Sequence, residues 1–170
     1  MLALASPAAA VPGTVRTGST GGPAYSGAVK TSLVGSATIV AGGVSATCTA
    51  ITINGTTTSG GAVTFTAPGS FSCGTAVTLG SGATGNLAYN AAGSKASLTN
   101  FKLTAIVGGL VSCTYGGNFT NLPVSNPVTI ALNSVVANKT AGSFLCPSSA
   151  TITANIALQT GAGAALYLTA

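Results

Sequence analysis

This chain has no aspartate, no glutamate, no histidine and no tryptophan. A general acid or base that works near neutral pH is usually a histidine or a carboxylate, and a Ser-His-Asp triad cannot be assembled without them. Hard cations need carboxylate oxygens, and zinc needs histidines or several thiolates. Nothing is left to activate a lysine, tyrosine or cysteine as a nucleophile. The chain is therefore read as no enzyme, with no catalytic residue, no cofactor and no metal site expected.

Charge of either sign is scarce. Arg16, Lys30, Lys95, Lys102 and Lys139 are the only charged side chains, giving a net charge of +5. They are spread along the chain and do not form a basic cluster interleaved with aromatics, so nucleic acid is not an expected partner. No side chain titrates between about pH 4 and pH 9, so the fold is expected to be indifferent to pH and salt in that range. Long apolar runs are also missing. Hydrophobic residues make up 46% of the chain, yet no run approaches the ~18 residues of a membrane helix.

What is present favours β structure. Val, Ile, Thr, Tyr and Phe suit strands, while 24 glycines and seven prolines interrupt any long helix. TITANIALQT puts Ile152, Ala154, Ile156 and Leu158 on one face, the cleanest alternation in the chain. AVTFT aligns Val63 with Phe65, FKLTA aligns Phe101 with Leu103 and Ala105, and VSCTY aligns Val111 with Cys113 and Tyr115. In VSATCTAITING the apolar phase changes after Ala50, which suggests a bulge or a strand covered on both sides. Asn54-Gly55 reads as a turn, Pro68-Gly69 as a break, AVTLGSG and NLAYNAAG as separate short strands, and KTAGSFLCP as a further strand. Roughly ten strands at this spacing predict an all-β, antiparallel β-sandwich, Ig-like or jelly-roll-like.

Residues 24–170 are read as one sandwich domain, and residues 1–23 as an N-terminal extension. MLALASPAAA looks like the tail of a signal peptide, with Ala8-Ala9-Ala10 as a small-residue cleavage site. The Gly/Pro/Thr-rich stretch after it resembles a linker. Four cysteines allow three pairings; the sequential one, Cys48–Cys73 and Cys113–Cys146, is adopted, because each cysteine lies in a strand-like run and no C-x-x-C suggests redox or zinc chemistry. Disulfides place the protein outside the cytoplasm. Asn54, Asn118 and Asn138 open N-glycosylation sequons, although such matches arise readily by chance in so Thr-rich a chain. Tyr25, Tyr89, Tyr115 and Tyr167 are scattered, more like half-buried core residues than a sugar-stacking platform.

FKLTAIVGGLVSCTYGG, KTAGSFLCPSSATITA and ALYLT, and more loosely VGSATIVAGGVSATCTAITINGT, resemble a family of small secreted bacterial proteins described as protein activators of alkane oxidation. The resemblance covers about residues 25–170. It implies a disulfide-containing β-sandwich exported to the cell surface, and no catalytic residues.

Together these readings give two functional expectations. The first is a structural subunit of an extracellular, pilus-like filament or biofilm matrix, a homopolymer built by donor-strand complementation. The N-terminal extension would add as a strand to a neighbour's open edge, such as ALYLT, with Val11, Val15, Tyr25, Leu166, Tyr167 and Leu168 making the assembly contacts. The alternative is a monomeric secreted cell-surface module that binds a carbohydrate or a hydrophobic substrate.

Overall fold

The computed structural model describes residues 13–74, 77–90, 94–107 and 109–170, with the side chains of 67–68 and 77–83 left aside. Residues 1–10, expected to be the tail of a signal peptide, and Val11, expected to be an assembly contact, lie outside the described residues. The described chain is all strand and turn. Its strands are β1 (Thr14–Thr17), β2 (Gly27–Leu33), β3 (Ala37–Ala41), β4 (Val44–Cys48), β5 (Ala50–Thr57), β6 (Val63–Ser72), β7 (Val77–Asn90), β8 (Lys95–Val107), β9 (Val111–Ser125), β10 (Thr129–Gly142), β11 (Ser149–Thr160) and β12 (Leu166–Thr169).

Every pairing is antiparallel. The main sheet runs β10-β9-β8-β7-β6-β5-β2-β11, and β11 then pairs back onto β10. The expected sandwich is thus a closed barrel of eight strands. Alternation along a strand is the same in both architectures. What distinguishes them is that β10 and β11 run side by side from Thr129↔Ala157 to Asn138↔Ser149, which removes the free edges. β3 and β4 extend the wall beyond the ring, with β3 on the first half of β11 (Ile152↔Ile39) and β2 on the second (Leu158↔Thr31).

Closure bends the strands, and the bends explain where the local reading failed. The phase change after Ala50 is neither a bulge nor a doubly covered strand. β4 and β5 are separate strands with a corner at Thr49. Asn54-Gly55 is no turn: both residues sit inside β5, where a Cβ on Gly55 would lie 2.4 Å from the Thr64 carbonyl oxygen. Pro68-Gly69 does not end β6. The register slips between Ile53↔Gly69 and Asn54↔Thr66, so Ala67 and Pro68 form a bulge, one of the few sheet positions that tolerates proline. The two short runs around Gly80–Gly85 join into the single long β7, with register shifts after Leu79 and Thr84. Of KTAGSFLCP, only the first part is strand, and Ser143–Ser148 is a loop.

The inward face carries the core. Ile152, Ala154, Ile156 and Leu158 are all buried, as the alternation predicts, while Thr151, Thr153, Asn155 and Gln159 line the outside. No described helix is long and apolar enough to cross a membrane.

Both expected disulfides are present, Cys48–Cys73 and Cys113–Cys146. Cys48–Cys73 ties the end of β4 to the end of β6, and Cys113–Cys146 ties β9 to the loop after β10.

β1 and β12 form a small second sheet, with Val15 opposite Leu168 and Arg16 opposite Tyr167. It lies across one end of the barrel. The Val15 N–H donates to Ser59 in the β5–β6 turn, and the Val128 N–H, in the β9–β10 turn, donates to Leu166. The Asn126 side chain brackets Leu168, donating to its carbonyl (2.9 Å) and accepting from its N–H (2.8 Å). Thr14–Thr17, read as part of a free extension, is thus a strand of the body.

Candidate functional site

The barrel encloses a cavity of about 80 Å³. Its wall is supplied by inward positions of the ring. β6 contributes Phe65, β7 Leu87, β8 Leu103, β10 Ile130, and β11 Ile152 and Ala154. Ala154, the smallest of these, leaves room that a longer side chain would fill.

Among the described residues β6 and β7 pair through Val63↔Leu87, Thr64↔Asn86 and Phe65↔Gly85. Half-buried Ile53, Phe71, Phe101 and Leu132, with exposed Thr84, complete the cavity lining. Phe101 is held against Phe119, ring centroids 5.7 Å apart and tilted by 54°, a favourable edge-to-face class of contact.

Polar groups are nearly absent from the wall. Thr31 is buried, and its Oγ1 accepts the Ile53 N–H at 2.8 Å. This bond replaces a ladder contact where β2 and β5 diverge. The cavity therefore offers shape and apolar surface and, apart from Thr84, no open hydrogen-bonding side chain.

The expected assembly residues lie elsewhere. Val15, Leu166 and Leu168 are buried inside the single chain, and Tyr167 is half-buried beside them. Tyr25 straps the same sheet: its N–H donates to Val15 and its hydroxyl to the Ala28 carbonyl. Asn54, Asn118 and Asn138 lie in β5, β9 and β10 with exposed side chains. The cavity residues were visible in the sequence only as inward-facing apolar positions. Nothing local separates a wall residue that lines a void from one that fills the core.

Two tyrosines give the protein its pH response. The hydroxyls of Tyr89 and Tyr115 are buried and have no hydrogen-bond partner, and burial pushes both phenols above their ordinary value. In the unfolded chain a tyrosine ionises near pH 10, while the folded chain keeps the proton. The stability from these protonated phenols is present below about pH 10 and is lost as the pH rises further, most steeply through Tyr89, whose phenol is pushed up furthest. Urea melts from pH 5 to 11 should be level up to about pH 9 and then fall. Tyr89→Phe should remove most of the fall and raise neutral-pH stability by about 1 kcal/mol, since it removes an unpartnered hydroxyl.

No protein-family description matches the chain, nor does any curated protein or solved structure.

Proposed function

We propose that this protein is a secreted binding module that takes a small apolar molecule into its barrel. The observation that carries the reading is the cavity, walled by Ile, Leu and Phe, whose one buried polar side chain is already engaged. A water needs roughly 10–15 Å³ and two to four polar partners. The volume would admit several waters, and the wall offers them almost nothing to bond. A hydrocarbon-like guest instead gains about 25 cal/mol for each Å² it removes from water. A sugar would lose its hydrogen bonds on entry, which favours the hydrophobic over the carbohydrate form of this reading. Two disulfides suit an oxidising compartment, and the resemblance to exported proteins implies the same location.

The test is an NMR titration of methyl-labelled protein with benzene and with hexane. Saturable shifts at Leu87, Leu103 and Ile152 are expected, and Ala154→Leu should weaken binding at least tenfold while the fold, judged by its melting curve, persists. Binding that survives Ala154→Leu unchanged, or no saturable shift at all, would overturn the reading.

Self-assembly into a fibre is a second reading, supported by a different observation: the outer edge of β4 has no partner among the described strands. Such an edge can accept a strand from a neighbour. In this reading the acceptor is β4, because the ALYLT strand is engaged within its own chain.

A further inference from the structure

The end of the barrel opposite the β1–β12 sheet presents large apolar side chains to solvent. Leu110, in the β8–β9 turn, and Phe144, in the β10–β11 loop, are each 90% exposed, and Leu145 is 64% exposed. The register puts these turns together. Cys113, three residues after Leu110, pairs with Gly142 and is bonded to Cys146, with 5.7 Å between their Cα atoms. At about 3.3 Å per residue, the two turns stand on the order of 10 Å apart. The disulfide fixes the loop's base, so its apolar tip cannot fold back onto the barrel without moving Cys146, which is buried.

Two cations stand behind these tips, about 15–20 Å back from Leu110 along β9 at ~3.3 Å per residue. Lys139 is on β10, and its Nζ donates to the Ser143 carbonyl at the base of the loop (3.3 Å). Lys102 is on the outer face of β8 and exposed. The two flank β9, Lys102 opposite Gly116 and Lys139 opposite Tyr115. No acidic side chain exists anywhere in the chain to neutralise them.

Apolar tips ahead of unneutralised lysines suit an anionic lipid surface, where apolar side chains enter the interface and cations are attracted to the headgroups. We propose that this end of the barrel docks on an anionic lipid bilayer, with Leu110, Phe144 and Leu145 inserted and the unneutralised Lys102 and Lys139 behind them, attracted to the headgroups. A second copy of the chain fits less well, because it carries cations and no acidic side chain to meet them. The docking surface is separate from the cavity and goes beyond the binding function proposed for it.

The full-length protein would be sedimented with vesicles of phosphatidylcholine and of phosphatidylcholine with phosphatidylglycerol at 3:1. Binding to the anionic vesicles is expected to exceed binding to the neutral ones at least tenfold, and to fall with salt. The pair Leu110→Ser and Phe144→Ser should lose it about tenfold with the melting temperature unchanged, and Lys102→Gln with Lys139→Gln should abolish the preference for anionic lipid. In this tryptophan-free chain, Phe144→Trp should shift its emission to the blue on anionic vesicles. Ala154→Leu should leave vesicle binding intact, which separates this proposal from the cavity. Absent binding, equal binding to both vesicles, or binding unchanged by the serine pair overturns it. So does a self-association that the serine pair removes when no vesicle binding is seen, because the occupant would then be a second copy.

Discussion

Removing both disulfides is expected to unfold this protein, or to leave it at the edge of stability, at room temperature. The bonds close segments with sequence separations of 25 and 33. By the chain-entropy argument each restricts the unfolded chain enough to stabilise by about 3.5 kcal/mol. The sum of ~7 kcal/mol is comparable to the whole stability of an ordinary domain, about 5–15 kcal/mol. Their placement strengthens the expectation. Cys48 and Cys73 hold together the ends of β4 and β6, two residues from Phe71, which lines the cavity. Cys113–Cys146 instead fastens a loop to a strand pair that is already laddered. Urea melts of the Cys48→Ala/Cys73→Ala and Cys113→Ala/Cys146→Ala pairs should each lose about 3 kcal/mol. The first pair should also weaken binding in the cavity, and the second should not. Equal effects of the two pairs on binding would refute the placing of the guest against Phe71.

Val15→Asp is expected to cost about 4 kcal/mol, from the lost burial of a valine and the burial of a carboxyl in its place. Val15 is completely buried, opposite Leu168, and the β1–β12 sheet depends on it for its only fully apolar contact from the β1 side. The melting temperature should fall by roughly 10 °C. The same variant separates two roles for the N-terminal segment. If β1 completes the fold within one chain, isolated monomers of Val15→Asp are destabilised at every concentration. If a neighbour's strand supplied this position, dilution would destabilise the wild type as well. Deleting residues 1–12 leaves β1 in place, so loss of fibres in electron micrographs after that deletion would support strand addition to β4. Fibres that persist would exclude residues 1–12 as the donor.

Several features could be read directly from the residues because the forces behind them are local. The alternation of Ile152 to Leu158 follows from the two-residue period of a strand, and the fold keeps it intact. The sequential disulfide pairing is as expected, although only Cys48 and Cys113 lie in strands, while Cys73 follows β6 and Cys146 sits in a loop. Other positions misled because their local signal is real but was overruled. Asn-Gly favours a turn, yet Gly55 is needed for the close approach of β5 to the Thr64 backbone. Gly-rich stops in β7 became bends in one strand, because a closing barrel uses such residues for curvature. Phe144 and Leu145 fit a strand pattern, and only their place beyond the end of the β9–β10 ladder leaves them in solvent.

The sequence by itself therefore determined an all-β, disulfide-bonded protein without acid–base side chains, since composition and two-residue periodicity act residue by residue. Tertiary structure decided the rest. Whether the strands close into a barrel depends on β11 meeting both β2 and β10. Whether Thr14–Thr17 is free or folded depends on β12 lying 150 residues away in the chain. The cavity exists only once the strands close into a ring, and the apolar tips only where strands end. These are consequences of long-range register, which no stretch of neighbouring residues encodes.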